Sequence, residues 1–356
     1  MLEREELKRY NRQMILPELG LHGQEKLKTA RVLMIGAGGL GCPVLQYLVA
    51  AGVGTIGIVD DDMVDVSNLH RQILYAPADI DQPKALIAKQ KLNQLNPFVE
   101  LIAYTERIIA ANAQQLISNF DVVIDGSDNF TTRYLVNDTC AALNKPLVFG
   151  SIFKFEGQVS VFNHQGGPGY RDLFPEAPPE NEVPNCAEIG VIGVLPGIIG
   201  TYMANETIKL ICGIGELLSG KLLTLNALDN SISVFKISAA TPSLPVNTSQ
   251  PVESDRVANE IDADTFKKWH AETPDEIYLV DVRETYEFDD ENIGGINIPL
   301  YELEEHANIF PGGKKLVFIC QTGQRSKIAA QQTRSFSGIA AFSLKGALTP
   351  LIFKTK

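Results

Sequence analysis

Short apolar runs and helical periods alternate along residues 1–238. Arg31-Val-Leu-Met-Ile35 has the length and composition of a buried strand, and Leu40 to Ala50 form an apolar helix. Thr55-Ile-Gly-Ile-Val59 predicts a second strand, Pro83 to Leu95 a second helix, and Asp121-Val-Val-Ile124 a further strand. FEGQVSVF, Phe155 to Phe162, reads as an antiparallel hairpin partner. Strand, helix, strand in this order predicts a doubly wound α/β sheet, largely parallel at its start. Residues 239–258 are rich in Pro, Ser and Thr and read as a linker. Beyond them the alternation resumes on a smaller scale, with strands at Ile277 to Val280 and Leu316 to Ile319 and a helix from Ser326 to Thr333. The expected division is a domain over 1–238, the linker over 239–258, and a second, smaller α/β domain over 259–356.

Composition adds limits. A chain of 356 residues exceeds one ordinary core, in keeping with two domains. A net charge of −12 argues against a nucleic-acid partner. The N-terminus, MLEREELKRYNRQ, mixes acids and bases without the apolar core of a secretory signal. The longest uncharged stretch, Ile189 to Asn205, holds four glycines and Pro196 and is short for a membrane span, so it reads as a buried helix. Five widely spaced cysteines with no Cys-x-x-Cys pair suit a reducing, cytoplasmic setting.

Candidate chemistry begins at Gly36-Ala-Gly38-Gly39-Leu-Gly41, between a strand and a helix, where glycines let backbone amides approach phosphates. Asp60 ends the next strand, where an acid can accept ribose hydroxyls. These two features alone fit a nicotinamide-dependent oxidoreductase. The residues that follow favour a triphosphate, whose greater charge needs cations and usually Mg²⁺ on a carboxylate. Arg71 and Lys84 supply cations, and Asp128 lies at a strand's carboxyl end; singly, either cation reads equally well as a solvated surface charge.

Five ordered motifs then coincide: RYNRQ (Arg9 to Gln13), GAGGLGCPVLQYLVAAGVG (Gly36 to Gly54), VDDDMVDVSNLHRQ (Val59 to Gln72), QPKA (Gln82 to Ala85) and DGSDN (Asp125 to Asn129). Together they resemble the MoeB/ThiF/HesA family, bacterial relatives of the ubiquitin-activating enzymes, over almost all of residues 1–238. The resemblance implies a Rossmann-like, mixed-sheet adenylation domain that uses ATP and Mg²⁺. By the same resemblance, Gly36, Gly38, Gly39 and Gly41 would lie under the phosphates and Asp60 would hold the ribose. Asn68, Arg71 and Lys84 would contact the triphosphate, Asp128 would bind Mg²⁺, and Asp62, Ser67, Gln72 and Asn129 would complete the nucleotide site. Arg12 resembles the arginine that family dimers insert into the partner's ATP site, which implies a homodimer. The implied reaction converts the C-terminal glycine of a ubiquitin-like sulfur carrier, ending in Gly-Gly, to an acyl adenylate. Such a step asks for positioning and charge neutralisation rather than a protein nucleophile.

Cys186 follows a Pro-rich acidic loop, Phe174 to Pro184. It reads either as a small buried residue or, by resemblance, as the cysteine some family members link to the carrier. Many relatives hold zinc with two Cys-x-x-Cys pairs; here the first place reads Gly169-Tyr-Arg-Asp172 and no second pair appears near 235–250, so no structural zinc is expected.

In the second domain Val317-Phe-Ile-Cys320 runs into Gln321-Thr-Gly-Gln-Arg325-Ser326 and a helix. Backbone amides and a helix N-terminus favour thiolate at Cys320, and Arg325 adds a cation for a persulfide or an anionic donor such as thiosulfate. LVDVRETYEF (Leu279 to Phe288), GGINIPL (Gly294 to Leu300) and SLKGAL (Ser343 to Leu348) resemble rhodanese motifs. Four residues separate Cys320 from Arg325, a spacing that suits sulfur rather than phosphate, although Asn292 stands where rhodaneses usually have histidine. The sequence therefore predicts adenylation followed by sulfur transfer to the molybdopterin synthase small subunit or, alternatively, the thiazole-pathway carrier. A non-catalytic carrier-binding scaffold is the remaining reading, against which Cys320 and Arg325 count.

Overall fold

A computed structural model of the chain describes residues 1–176, 190–237, 259–303, 305–306, 309–321, 323–337 and 339–345. Cys186 and the expected linker lie outside the described residues. The chain separates into two units, Met1–Pro245 and Val246–Lys356.

The first unit begins with α1 (Arg4–Met14), α2 (Gly20–Thr29), β1 (Arg31–Ile35), α3 (Gly41–Ala51) and β2 (Thr55–Val59). There follow α4 (Lys84–Leu95), β3 (Glu100–Tyr104), α5 (Ala113–Ser118), β4 (Val122–Asp125) and α6 (Phe130–Ala142). It ends with β5 (Leu147–Phe153), β6 (Glu156–Phe162), α7 (Tyr170–Leu173), α8 (Leu195–Cys212), β7 (Lys221–Asn226) and β8 (Ser231–Lys236). The strands form one eight-stranded sheet in the order β3-β2-β1-β4-β5-β6-β7-β8. From β3 to β5 neighbours are parallel; β6, β7 and β8 are added antiparallel. The expected doubly wound start and the antiparallel hairpin at β6 are both present.

Alternation within the strands feeds two cores. Val32, Met34, Ile56, Ile58, Val122 and Ile124 face α2, α3, α4 and α8. Leu33, Ile35, Val59, Val123, Leu147 and Phe149 face α5, α6 and α7. Each side therefore receives every second residue, as a sheet covered on both faces requires. The uncharged stretch from Ile189 becomes helical only at Leu195, with Pro196 in the first turn. Leu195, Ile199 and Met203 of α8 are fully buried. Among the described residues no helix is long and apolar enough to cross a membrane.

The second unit comprises β9 (Asn259–Ile261), α9 (Ala263–Glu272), β10 (Ile277–Asp281), α10 (Thr285–Asp290), β11 (Ile296–Asn297), β12 (Lys315–Ile319), α11 (Gln324–Ser337) and β13 (Ala341–Leu344). Its five-stranded parallel sheet has the order β11-β10-β12-β13-β9. Leu316 and Phe318 enter one core, Val317 and Ile319 the other. β12, buried on both faces, places Cys320 at the sheet's carboxyl edge before α11.

Gly41 starts α3 so close to the preceding turn that a Cβ there would lie 2.1 Å from the Gly36 carbonyl oxygen. Backbone cannot give way as a side-chain tip can. Gly41→Ala is expected to cost about 3 kcal/mol and lower the first unit's melting temperature by roughly 10 °C. Calorimetry should show the second unit's transition unmoved.

Candidate functional site

The strand order reverses direction between β1 and β4, and a cleft opens there at the carboxyl ends of β1, β2 and β4. Open α/β sheets bind ligands at such switch points. Gly36 turns the chain out of β1 with φ +87°, its amide still bonded to Val59 O at 2.8 Å. Gly38 and Gly39 follow, lining the cleft beneath the first turn of α3. A Cβ on Gly39 would meet Pro196 at 3.1 Å, so α8 backs the turn from behind. The Tyr75 hydroxyl donates to Ala37 O at 2.8 Å and fixes the turn from the other side. Cys42, buried beneath it, has its thiol pushed up to about 12 by burial. It is a packing residue.

Asp60 lies across the turn. Its two carboxylate oxygens accept the amides of Ala37 at 2.7 Å and Asp62 at 2.9 Å, and each keeps lone pairs for further donors. Burial pushes this carboxyl up, and the charge of Lys84 with the two amides pulls it part of the way back. The Lys84 ammonium, 5% exposed, pairs with Asp62 at 2.8 Å. A buried ammonium without a partner is strongly unfavourable, so Asp62 serves Lys84. Arg71 donates to Ser67 O at 3.1 Å and contacts His70 Nε2 at 2.8 Å.

The loop after β4 supplies the other wall. Asp128 is exposed and lines the cleft. Asn129 lines it too, and caps α6 by accepting the Thr132 amide at 2.9 Å. Asp125, wholly buried, accepts the Ser127 amide at 2.9 Å; burial pushes its carboxyl up against the opposing charge of Arg133. Arg133 donates to Ser127 O at 3.0 Å between the rings of Phe130 and Phe149. Gln72 Oε1, Ser127 Oγ and Arg133 Nε are screened from solvent yet meet no protein partner, and all three residues line the cleft. Such atoms mark a surface shaped for a polar ligand.

The structure thus gathers Gly36, Gly38, Gly39, Asp60, Asp62, Arg71, Gln72, Lys84, Asp128 and Asn129 around one cleft. Four candidates fall elsewhere. Gly41 acts in helix packing rather than as cleft lining. Ser67 and Asn68 belong to a short 3-10 turn capped by Asp65, which accepts the Ser67 amide at 2.7 Å, while Asn68 donates to Ser67 Oγ at 3.2 Å. Arg12 is exposed in the last turn of α1, outside the cleft of its own chain. Arg133 and Tyr75 were missed. Their only sequence signal is position: Arg133 stands one helical turn beyond the cap Asn129, on the inward face.

At Gly169–Asp172, the place the family resemblance assigns to a cysteine pair, the Asp172 carboxylate accepts the Gly169 amide at 2.7 Å. Arg171 grips Asp138 with two bonds of 2.7 and 2.8 Å. Hydrogen bonds hold this segment, and no cluster of three potential metal ligands occurs among the described residues.

In the second unit, Cys320 Sγ accepts the amides of Gly323 at 3.1 Å and Ser326 at 3.3 Å. Arg325 is gripped by Glu287 of α10, with bonds of 2.6 and 2.8 Å. Burial raises the Glu287 carboxyl, but the Arg325 bonds, the Glu284 amide and the arginine charge outweigh it and hold it below the usual range. Asp281 and Arg283 form a buried pair at 2.7 Å, and Arg283 reaches Gln321 at 3.4 Å, bracing the loop before it turns. Asn292 accepts the Gly294 amide at 3.1 Å and donates to Phe288 O at 2.9 Å, a turn-holding role. Lys345 ends the described part of the closing motif.

A phosphate-ready cleft at a switch point and a cysteine ringed by amides define a nucleotide-binding α/β unit joined to a sulfurtransferase-type loop. Residues 10–246 match the ThiF family and residues 262–349 the rhodanese-like domain, and the chain belongs to the ThiF family. It is 52% identical to the sulfur carrier protein adenylyltransferase of Thermus thermophilus, over 71% of this chain and 95% of that one. Over 98% of this chain and 93% of the relative, it is 42% identical to the probable adenylyltransferase/sulfurtransferase MoeZ of Mycobacterium tuberculosis. A probable molybdopterin-synthase adenylyltransferase of Porphyra purpurea is 43% identical over 85% of this chain and 81% of its own. The fold also resembles a crystal structure of E. coli MccB with ATP, with TM-score 0.58 and 20% identity over 66% of this chain and 73% of that one.

Lys84→Ala removes the cation that Asp62 balances inside the cleft. Loss of one such preorganised charge costs about 3 kcal/mol. Turnover dependent on the nucleotide should fall by roughly two orders of magnitude, while thiosulfate:cyanide sulfurtransfer by the second unit stays at the wild-type rate.

Proposed function

We propose that this enzyme adenylates the C-terminal glycine of a ubiquitin-like sulfur carrier and then delivers sulfur to it through Cys320. The observation that carries the reading is the coexistence, in one chain, of the cleft around Gly38, Asp60, Arg71 and Lys84 and the amide cradle of Cys320. Tethering gives the second step a high effective concentration of the first step's product. The relatives' names support the pairing, and the Porphyra relative's name favours the molybdopterin synthase small subunit as carrier.

ATP is the first substrate. The glycine cradle and the unpartnered polar atoms fit its phosphates and sugar, with Asp60 toward the ribose and Arg71 and Lys84 toward the phosphates. Asp128, the exposed carboxylate on the β4 loop, suits Mg²⁺, which commonly takes one or two carboxylates together with phosphate oxygens. Mg²⁺ would neutralise phosphate charge there. The carrier carboxylate attacks the α-phosphorus and pyrophosphate leaves. The terminal sulfur of a Cys320 persulfide, charged from thiosulfate or a persulfide donor, then attacks the acyl carbon and AMP leaves. A thiol reductant frees the thiocarboxylate. Wild-type protein should catalyse ATP–pyrophosphate exchange with a carrier ending in Gly-Gly, and Cys320→Ala should retain exchange while losing sulfur transfer. No exchange with any such carrier sinks the proposal.

The same reading makes the enzyme a homodimer. Tyr47, Ile73 and Ile198 line an apolar groove between α3 and α8 that suits a second copy, and Arg12 is exposed rather than turned to its own cleft. Arg12→Ala and Lys84→Ala proteins, each weak alone, should regain exchange when mixed. Mixtures no more active than their parents would mean that Arg12 does not act across a dimer.

A further inference from the structure

Behind Cys320 lies a pair of hydroxyls that the adenylation and sulfur-transfer scheme does not use. Ser326, in the first turn of α11, and Ser343, on β13, are both fully buried, with their oxygens 2.9 Å apart. Ser326 Oγ is 3.6 Å from Cys320 Sγ and donates to Gly323 O at 2.9 Å. Ser343 Oγ reaches the same carbonyl at 3.4 Å. Gly323 is therefore held at both ends: its amide points at the sulfur, and its carbonyl faces two hydroxyls and accepts the Lys327 amide at 3.2 Å, with φ at +91°.

We propose that Ser343 is a positioning residue for the sulfur chemistry of Cys320, acting through Ser326. The inference rests on the reading of Cys320 as the sulfur-carrying nucleophile. While the sulfur carries its proton, the thiol can donate to Ser326 Oγ, and the Ser326 proton goes to Gly323 O. Once the thiol proton leaves, the sulfur becomes an acceptor and the Ser326 hydroxyl can turn toward it. That turn would take the nearest donor from Gly323 O and leave it only the longer Lys327 amide at 3.2 Å, which costs part of a hydrogen bond. Ser343 removes the cost, because its own proton takes over Gly323 O. In the thiolate the two hydroxyl protons then serve the sulfur and Gly323 O, and no backbone movement is needed. The same exchange of partners serves a persulfide, whose inner sulfur occupies the Sγ position.

The charged groups near the sulfur are Arg325, paired with Glu287, and Arg283, paired with Asp281. No change at position 343 removes any of them. The test is the rate at which Cys320 in the full chain reacts with iodoacetamide between pH 5 and pH 9, read on the Cys320 peptide by mass spectrometry. Ser343→Ala should move the profile upward by about one pH unit, the scale of one lost hydrogen bond to a thiolate. Ser343→Thr, which keeps the hydroxyl, should stay near wild type. A Ser343→Ala profile that overlays wild type overturns the proposal, and so does an equal displacement in both variants, which would indicate packing. Should Ser343→Ala lose the second unit's melting transition, Ser343→Cys, which keeps the volume but donates weakly, faces the same two outcomes. Wild-type protein unable to transfer sulfur from thiosulfate would refute the reading of Cys320 itself, whatever the alkylation profiles show.

Discussion

Between the Gly36 carbonyl and the first turn of α3 there is no room for a side chain, and the nucleotide cleft is arranged around that contact. Because α3 sits so close, the turn at Gly36–Gly39 is short and its amides lie at the mouth of the sheet rather than inside the core. Ala37 then falls where its amide can reach Asp60 and its carbonyl can accept Tyr75. Tyr75 also donates to Lys84 O at 3.3 Å, so the beginning of α4 is tied to the same turn. A displacement of α3 would therefore move the glycine turn, Asp60 and the buried Lys84 ammonium together.

The two sites handle negative charge by different means. In the first unit the cleft gathers formal charges of both signs. Asp60 is half-buried and Asp125 buried, both pushed up, Lys84 is buried against an exposed Asp62, and Arg133 lies over two rings. A highly charged substrate can be met there by cations already desolvated and held. In the second unit the donors bonded to the sulfur are neutral amides, and the cation coupled to it, Arg325, is gripped by Glu287. A cradle of dipoles suits a small sulfur anion, since it stabilises charge without binding so tightly that sulfur cannot leave.

Features fixed by contiguous residues were legible in the sequence. The glycine turn, Asp60 at a strand end and Cys320 before a helix all follow from short-range pattern. Gly41, Ser67 and Asn68 show how far that reasoning reaches, because a contiguous motif does not say which members line the cleft and which shape the turn. Arg133 depends on the rotational phase of α6, and Ser343 on the pairing of β12 with β13, neither of which is written locally. The β7–β8 hairpin shows the reverse case: Ser231-Ile-Ser-Val234 alternates polar and apolar in the sequence, yet every residue of β8 is exposed.

Burial by itself does not select the reactive sulfur. Cys42, Cys140 and Cys212 are buried like Cys320, and burial pushes all three thiols up. Cys42 and Cys212 donate to the backbone carbonyls Ala37 O at 3.5 Å and Gly23 O at 3.6 Å, and at Cys42 burial outweighs the Leu74 backbone bond that would favour thiolate. Cys320 has the opposite surroundings: two backbone amides aim their protons at it, and the hydroxyl beside it can give a proton as readily as take one. At Cys320 the direction of the hydrogen bonds is reversed, with amide protons given to the sulfur. The parallel sheet makes the reversal possible, since the strand ending at Cys320 delivers the sulfur to the amide end of α11.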